Sequence, residues 1–323
     1  MSASPVAVVA VVGHVVATTL PPLDWSHLGI TEVGAVPTVL MVVALAAYLW
    51  GARRLHRRPG AGWPAHRTVA FVAGMVVTAF AIESFVGAYD DVLFYDHMIQ
   101  HLLLIMIAGP LFALGAPLDL LVTATGGRAH RIAERAMRSR TAEVVGHPIS
   151  SFVLYFALIP VTHLTVFYNW TLEYDLVHDL EHILFLVMGY LFFRPVVAVE
   201  SSRHPLIPPL QLLYVALAVP VDTFTGLALT STTHEIFPYY LTHHRSWGPS
   251  LLTDLHAGGA IMWVGGDSLM FLIMIPIVLR WVRYEDVRTA EIDTELDAEL
   301  DAELDAELDA LKGEGHQGPD HAS

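Results

Sequence analysis

Two histidine pairs are the residues of this chain best suited to carry out chemistry. His97 and His101 are four residues apart at the start of one apolar run, and His178 and His182 repeat that spacing at the start of another. Residues at i and i+4 share one face of a helix, so each pair points two imidazoles in the same direction. Ionisable groups at the edge of a membrane segment are costly and mark functional sites. The two pairs therefore predict a metal or haem site.

Other donors are expected near the same membrane level. The candidate ligands beyond the two pairs are His163, Asp254, His256, Met98 and Met262. Thioethers suit Cu(I), and carboxylates next to histidines orient the rings. The chain has no cysteine, which excludes disulfides, iron–sulfur clusters and thiolate copper sites. Three acidic residues lie deeper in apolar runs, and we interpret them as residues that pair between helices or join the site: Glu83, Asp222 and Asp267.

The composition is that of a membrane protein. The 323 residues are 54% hydrophobic and only 15% charged. A helix needs about 20 apolar residues to cross a bilayer, and only helices or closed barrels satisfy their backbone there. Seven segments meet this length, near residues 34–52, 68–88, 98–122, 149–168, 179–199, 206–230 and 257–281. We predict an all-α integral membrane protein, a bundle of seven transmembrane helices.

Arginines predict the orientation of the bundle. They concentrate in alternate connections, and the opposite connections contain only Arg245. The positive-inside rule then puts the N-terminus outside and the C-terminus in the cytoplasm, with both histidine pairs at the outer face. Three parts are expected: an extracytoplasmic lead-in over 1–33, the membrane domain over 34–285, and an acidic cytoplasmic tail over 286–323.

The two ends of the chain carry little chemistry. Residues 5–20 are apolar but lack the basic start of a secretory signal, so a cleaved signal and an outer lead-in both stay open. The tail repeats the tetrapeptide E-L-D-A, which we interpret as a solvated extension, with a partner-binding helix as the alternative. The single lysine is Lys312 in that tail, which excludes a retinal Schiff base inside a helix.

Three stretches resemble a known family. They are HMIQHLLLIMIAGPLFALGAP from His97 to Pro117, the segment from His163 through His178 and His182 to Arg194-Pro195, and Asp254-Leu255-His256-Ala257-Gly258-Gly259. Together they resemble the multi-span CtaG-type cytochrome c oxidase assembly proteins, over roughly residues 20 to 285. Asp222 departs from the family pattern because many relatives are expected to have a histidine there, and the tail has no counterpart.

The resemblance implies a non-enzymatic assembly factor that handles copper at the extracytoplasmic face of the bacterial plasma membrane. Copper is the expected metal, with zinc as the alternative. The expected partners are cytochrome c oxidase subunits or other copper chaperones and the lipid bilayer. A homo-oligomer stays open, and no nucleic acid is expected.

Three other functions would use the same residues. An intramembrane zinc hydrolase needs three His or Asp ligands and an activated water. A copper transporter needs polar groups that continue to the cytoplasmic side, whereas the inner halves of the third and fifth segments are apolar. A bis-histidine haem protein needs facing histidines at matched depth. We rank the assembly factor first and the haem protein last.

Overall fold

The structure is a computed structural model of the chain. It describes residues 20–60, 62–197, 199–200, 203–243 and 245–315, without the side chains of 307–315. The stretch 5–20, predicted as a signal or part of the lead-in, therefore lies outside the described residues except for its last residue.

The described residues form helices joined by short connections. In chain order the helices are α1 (Ala35–His56), α2 (Ala65–Glu83), α3 (Phe85–Tyr89), α4 (Phe94–Leu102), α5 (Gly109–Gly115), α6 (Pro117–Ala124), α7 (Gly127–Met137), α8 (Arg140–Val145), α9 (Pro148–Leu164), α10 (Phe167–Glu173), α11 (Asp175–Val197), α12 (Pro208–Thr230), α13 (Pro238–Thr242), α14 (Leu251–Ala260) and α15 (Gly266–Gly315). A π-helical turn joins α4 to α5 over Leu103–Ala108, and another joins α14 to α15 over Ile261–Gly265.

Several of these helices, alone or joined end to end, are long and apolar enough to cross a membrane. Six stretches among the described residues meet that test: Ala35–His56, Ala65–Tyr89, Phe94–Ala124, Asp175–Val197, Pro208–Thr230 and Leu251–Ala306. The pair α9 and α10 adds a seventh if it is counted as one bent span. This confirms the predicted all-α membrane bundle, while the orientation of its termini stays a prediction.

The fourth span is broken, which the sequence did not indicate. The chain bends by 66° between α9 and α10. At the break, Thr165 takes an extended backbone conformation, and its hydroxyl donates to the carbonyl of Val161 at 2.6 Å. A threonine hydroxyl that bonds a carbonyl four residues back satisfies an acceptor at the helix end. The break leaves His163 in the last turn of α9, where its ring faces the bundle interior.

Two glycines bring the histidine-bearing helices together. An ideal Cβ on Gly189 of α11 would lie 2.5 Å from the carbonyl oxygen of Ile105, and one on Gly109 would lie 2.6 Å from the carbonyl carbon of Gly189. Only glycine allows this backbone approach, and small residues commonly form such contacts between membrane helices. The close crossing packs the middle of α11 against α5 and the π-helical turn that follows α4.

Arginines satisfy carbonyls at the opposite end of the bundle. Arg280 donates to the carbonyls of Val196 and Val197 at 2.8 and 3.1 Å, and Arg58 donates to that of Thr123 at 3.0 Å. The last carbonyls of a helix have no partner within it, so these arginines cap helix ends. The bundle thus has one histidine-rich end and one arginine-rich end.

The acidic tail begins as a direct continuation of the last span. Helix α15 runs without interruption from Gly266 to Gly315, and its side chains from Val282 to Ala306 are exposed. Glutamate, leucine and alanine are strong helix formers, which explains a regular helix where like charges alone suggest fraying. The predicted boundary at residue 285 falls inside this helix.

Candidate metal centre

Two helices face each other with the predicted pairs between them. Helix α4 presents His97 and His101, and α11 presents His178 and His182, all of them buried. The rings of His97 and His178 stack with centroids 5.1 Å apart and an interplanar angle of 11°. With His163 and Glu181 these residues form what we call the histidine cluster.

Glu181 lies in the middle of the cluster. Its carboxylate oxygen Oε2 is 3.4 Å from Nε2 of His97 and 3.7 Å from Nε2 of His101. The side chain is 0% exposed, and neither oxygen accepts a hydrogen bond. A carboxylate removed from water without partners is strongly disfavoured unless a positive charge compensates it. Glu181 therefore calls for a cation, either a bound metal ion or a protonated imidazole.

His97 is also buried without a hydrogen-bond partner. Its side chain is 0% exposed, and neither ring nitrogen makes a hydrogen bond. The ring instead contacts other rings: His101 at 4.3 Å, Tyr168 at 5.0 Å and His178 at 5.1 Å between centroids. A neutral imidazole has one nitrogen lone pair, and a metal ion would use it.

His163 sets the tautomer of His101. Nδ1 of His163 lies 2.8 Å from the carbonyl oxygen of Ile159, which can only accept, so this nitrogen carries the proton. In the neutral ring Nε2 of His163 then accepts from Nδ1 of His101 at 3.1 Å. A neutral His101 consequently has its lone pair on Nε2, the nitrogen that faces Glu181. His163 is thus brought to the cluster, but both its nitrogens are already engaged.

A second polar group surrounds His178 and His182. Nε2 of His178 is 3.6 Å from Oδ2 of Asp90, and its Nδ1 is 3.5 Å from Oδ1 of Asp91. Gln100 links this group, since its amide donates to Asp90 at 2.6 Å and its Oε1 accepts from Nε2 of His182 at 2.8 Å.

Asp90 sits in the short connection between α3 and α4. Burial raises the pKa of its carboxyl well above the usual range, and the charge of neighbouring Asp91 raises it further. An acidic group in this state favours a bound proton unless a metal ion replaces it.

These residues offer two donor triads. The ligand atoms of Asp90, His178 and His182 lie within 4.8 Å of one another, and so do those of His97, His178 and Glu181. Each triad combines one carboxylate with two imidazoles, a donor set that suits copper and zinc. The arrangement can hold a divalent or monovalent metal ion at the histidine-rich end.

Asp254 and His256 make other bonds. The carboxylate of Asp254 accepts from Arg245 at 2.7 Å and from the backbone N–H groups of Phe94 and Tyr95 at 3.2 and 3.0 Å. It therefore caps the N-terminus of α4, where a negative charge is favoured. Nε2 of His256 donates to the carbonyl oxygen of Thr232 at 2.8 Å.

The predicted methionines and deeper acids contact other helices. Met98 and Met262 belong to the buried apolar core, and Met98 packs against Gly258. Asp222 accepts from the hydroxyl of Tyr155 at 2.7 Å, and Asp267 accepts from that of Thr223 at 2.7 Å. Glu83 accepts from the hydroxyl of Thr38. These acids link neighbouring helices, in agreement with the interpretation that they pair between helices rather than join the site.

Three central residues are not among the predicted ligands, although two of them, Asp90 and Glu181, are carboxylates close to the histidine pairs in the sequence. Glu181 lies three residues after His178, and Gln100 lies three after His97, a spacing that puts each on the face of its pair. This spacing is the sequence signal that could have identified Glu181 and Gln100 as neighbours of the histidine pairs. Asp90 lies in a connection, where no periodicity indicates the direction of a side chain.

An apolar cavity of about 340 Å³ lies beside the cluster. Its walls come from α1, α2, α5, α6 and α11, and His182 and Asp179 are among the lining residues. Two of the lining residues, Val36 and Leu40, are more than half exposed on the outside of the bundle. The cavity is thus open to the membrane.

Comparison with known proteins connects this geometry to a family. The profile of the cytochrome c oxidase caa3 assembly factor family matches residues 46–284, most of the chain. No solved structure matches.

Three mycobacterial proteins are similar, and all are described as uncharacterised. Those of Mycobacterium bovis and Mycobacterium tuberculosis are each 30% identical over 257 residues, which cover 77% of this chain and 39% of theirs. The Mycobacterium leprae protein is 28% identical over 268 residues, which cover 80% of this chain and 40% of its own. The chain spans about two fifths of the length of these relatives.

Proposed function

The chain belongs to the cytochrome c oxidase caa3 assembly factor family, and from that premise we propose that its histidine cluster handles copper for maturation of the oxidase. It is a multi-pass protein of a bacterial membrane. The observation that carries the proposal is the buried Glu181 carboxylate, which has no hydrogen bond and lies between the imidazoles of His97 and His101.

Copper fits the available donors. Imidazole binds copper in both oxidation states, and divalent copper binds such sites more tightly than the other first-row divalent metals. The chain has no thiolate to offer, so nitrogen and carboxylate oxygen must hold the ion. Delivery to an oxidase subunit, or exchange with another copper chaperone, would proceed by exchange of these ligands for those of the partner.

The metal content of the detergent-purified, full-length protein tests this proposal. We expect copper in the wild type by elemental mass spectrometry, and at least about tenfold weaker binding after His101→Ala or His182→Ala. His256→Ala is the matched control, because that imidazole bonds the carbonyl of Thr232 and contacts neither triad. Copper that is unchanged in both cluster variants, or absent from the wild type after loading, would refute the proposal.

A second candidate function is an intramembrane zinc hydrolase. The membrane-open apolar cavity with His182 at its edge favours it, because such an enzyme must admit a lipid-embedded substrate to its metal. The same measurement separates the two candidates. Zinc that copurifies and is lost in the cluster variants, with no copper taken up, would favour the hydrolase.

A copper transporter fits less well. The ring of His101 packs against Phe185 with centroids 4.1 Å apart, and Phe185 is 0% exposed. Farther along α11, Met188 and Phe192 continue this apolar packing toward the arginine-rich end. An ion leaving the cluster in that direction would meet one thioether, that of Met188, and beyond it the aromatic rings of Phe192 and Phe193.

A further inference from the structure

The histidine cluster contains two donor triads that share one residue. His178 belongs both to the triad with Asp90 and His182 and to the triad with His97 and Glu181. We call these the outer triad and the inner triad. A neutral imidazole has a single lone pair, so His178 can serve one ion at a time unless it loses its second proton.

The outer triad lies nearer to solvent. The side chains of its unshared members, His182 and Asp90, are 8% and 5% exposed, whereas those of His97 and Glu181 are 0% exposed. Asp91 adds a partly exposed carboxylate beside His178 at this edge, where negative charge attracts cations. An ion that arrives from outside the bundle therefore meets the outer triad first.

The two triads differ in the bonds that a metal ion must replace. In the outer triad Gln100 already bonds the carboxylate of Asp90 at 2.6 Å and Nε2 of His182 at 2.8 Å. In the inner triad neither oxygen of Glu181 and neither nitrogen of His97 has a hydrogen bond. Binding to the inner triad breaks no protein hydrogen bond and satisfies buried groups, so it gains more free energy.

His101 adds a further donor on the inner side. Its Nε2 makes no hydrogen bond and lies 3.7 Å from Glu181. Because His163 holds the proton of His101 on Nδ1, the Nε2 lone pair is directed at the same carboxylate. Together with His101, the inner triad thus offers four protein ligands to a metal ion, a common number for imidazole-rich sites.

On the premise of the proposed copper function, we infer that the cluster is a two-position relay for one copper ion. The outer triad captures and releases the ion, the inner triad retains it, and His178 passes it between them. Coordination exchanges one ligand at a time, with no change in oxidation state. Because the two triads share the lone pair of His178, we expect one copper ion to bind to each protein molecule.

Transfer kinetics with Cu⁺ test the relay. Full-length protein in detergent is loaded from, and unloaded to, a chromophoric Cu⁺ chelator, and both rates and the dissociation constant are measured. Asp90→Asn keeps an acceptor for Gln100 but replaces the carboxylate ligand of the outer triad with a neutral amide. We expect both of its rates to fall at least about tenfold while the dissociation constant changes less than about threefold. Glu181→Gln should weaken binding at least about tenfold and release copper faster.

Asp267→Asn serves as the matched control, because that carboxylate bonds Thr223 rather than the cluster. Unchanged rates in Asp90→Asn, equal losses of affinity in Asp90→Asn and Glu181→Gln, or two ions bound in the wild type would overturn the relay while leaving copper handling intact. No Cu⁺ binding by the wild type would instead overturn the proposed function itself.

Discussion

At the scale of single residues, the cluster combines side chains that bind with side chains that hold them in place. The carboxylate oxygens of Glu181 and the ring nitrogens of His97 are buried and make no hydrogen bond. His163 and Gln100 instead use their hydrogen bonds to orient His101 and His182. Ligands to metals are commonly fixed by such neighbours, which also determine which ring nitrogen is free. His163, predicted as a ligand, is therefore better explained as a positioning residue.

Asp254 gives a prediction about stability at this scale. Asp254→Ala leaves Arg245, whose side chain is 3% exposed, buried without its partner and removes the cap of α4. Loss of one member of a buried ion pair costs about 3–5 kcal/mol, so thermal unfolding in detergent should occur at a clearly lower temperature. The exposed Asp24, changed to Ala, should have little effect. Folded Asp254→Ala protein should keep its copper, and loss of copper there would make Asp254 a ligand after all.

At the scale of elements, the site depends on how closely α11 can approach α4 and its π-helical turn. Gly189 and Gly109 allow backbone contact there, and π-helical turns often occur next to functional sites. The break between α9 and α10 is equally important, because it ends α9 at the level of the cluster and directs His163 inward. Neither feature contributes a ligand, yet both determine the distances between ligands.

Gly189→Ala tests this dependence on helix approach. Its new Cβ would lie 2.5 Å from the carbonyl oxygen of Ile105 and 2.8 Å from the Cα of the same residue, so the backbones must separate. Such overpacking costs about 1–3 kcal/mol. We expect a lower unfolding temperature together with weaker copper binding, measured with the same chelator. Gly62→Ala, where an added Cβ meets nothing within 4 Å, should change neither property. Wild-type copper affinity in Gly189→Ala would show that the crossing does not set the site.

At the scale of the whole molecule, the polar groups are divided between two ends. The histidine cluster occupies one end, and arginines that cap helix carbonyls occupy the other. An aromatic and aliphatic core, including Phe185, Phe192 and Tyr155, fills the space between them. The long helix α15 then projects beyond the arginine-rich end with exposed side chains. This division separates the histidine cluster from the acidic tail.

Removal of the tail should therefore leave the site unaffected. A chain that stops after Ala290 loses the E-L-D-A repeats, whose described side chains are exposed. Surface changes of this kind usually alter the free energy of unfolding by no more than about 0.5 kcal/mol. Thermal unfolding and copper content should match those of the full-length protein. A large loss of either would identify the tail as part of the folded core or of the site.

The sequence by itself determined the all-α membrane class and the two histidine pairs, because hydropathy and i,i+4 spacing are local properties that a helix preserves. Only the tertiary structure decided which donors converge. Contacts between helices that are distant in sequence put Glu181 at the centre of the cluster. They also bring Asp90 to the cluster from a connection and make Asp254 a helix cap. Spacing along one helix carries no information about the helix that faces it, so the partners of each pair could not be predicted.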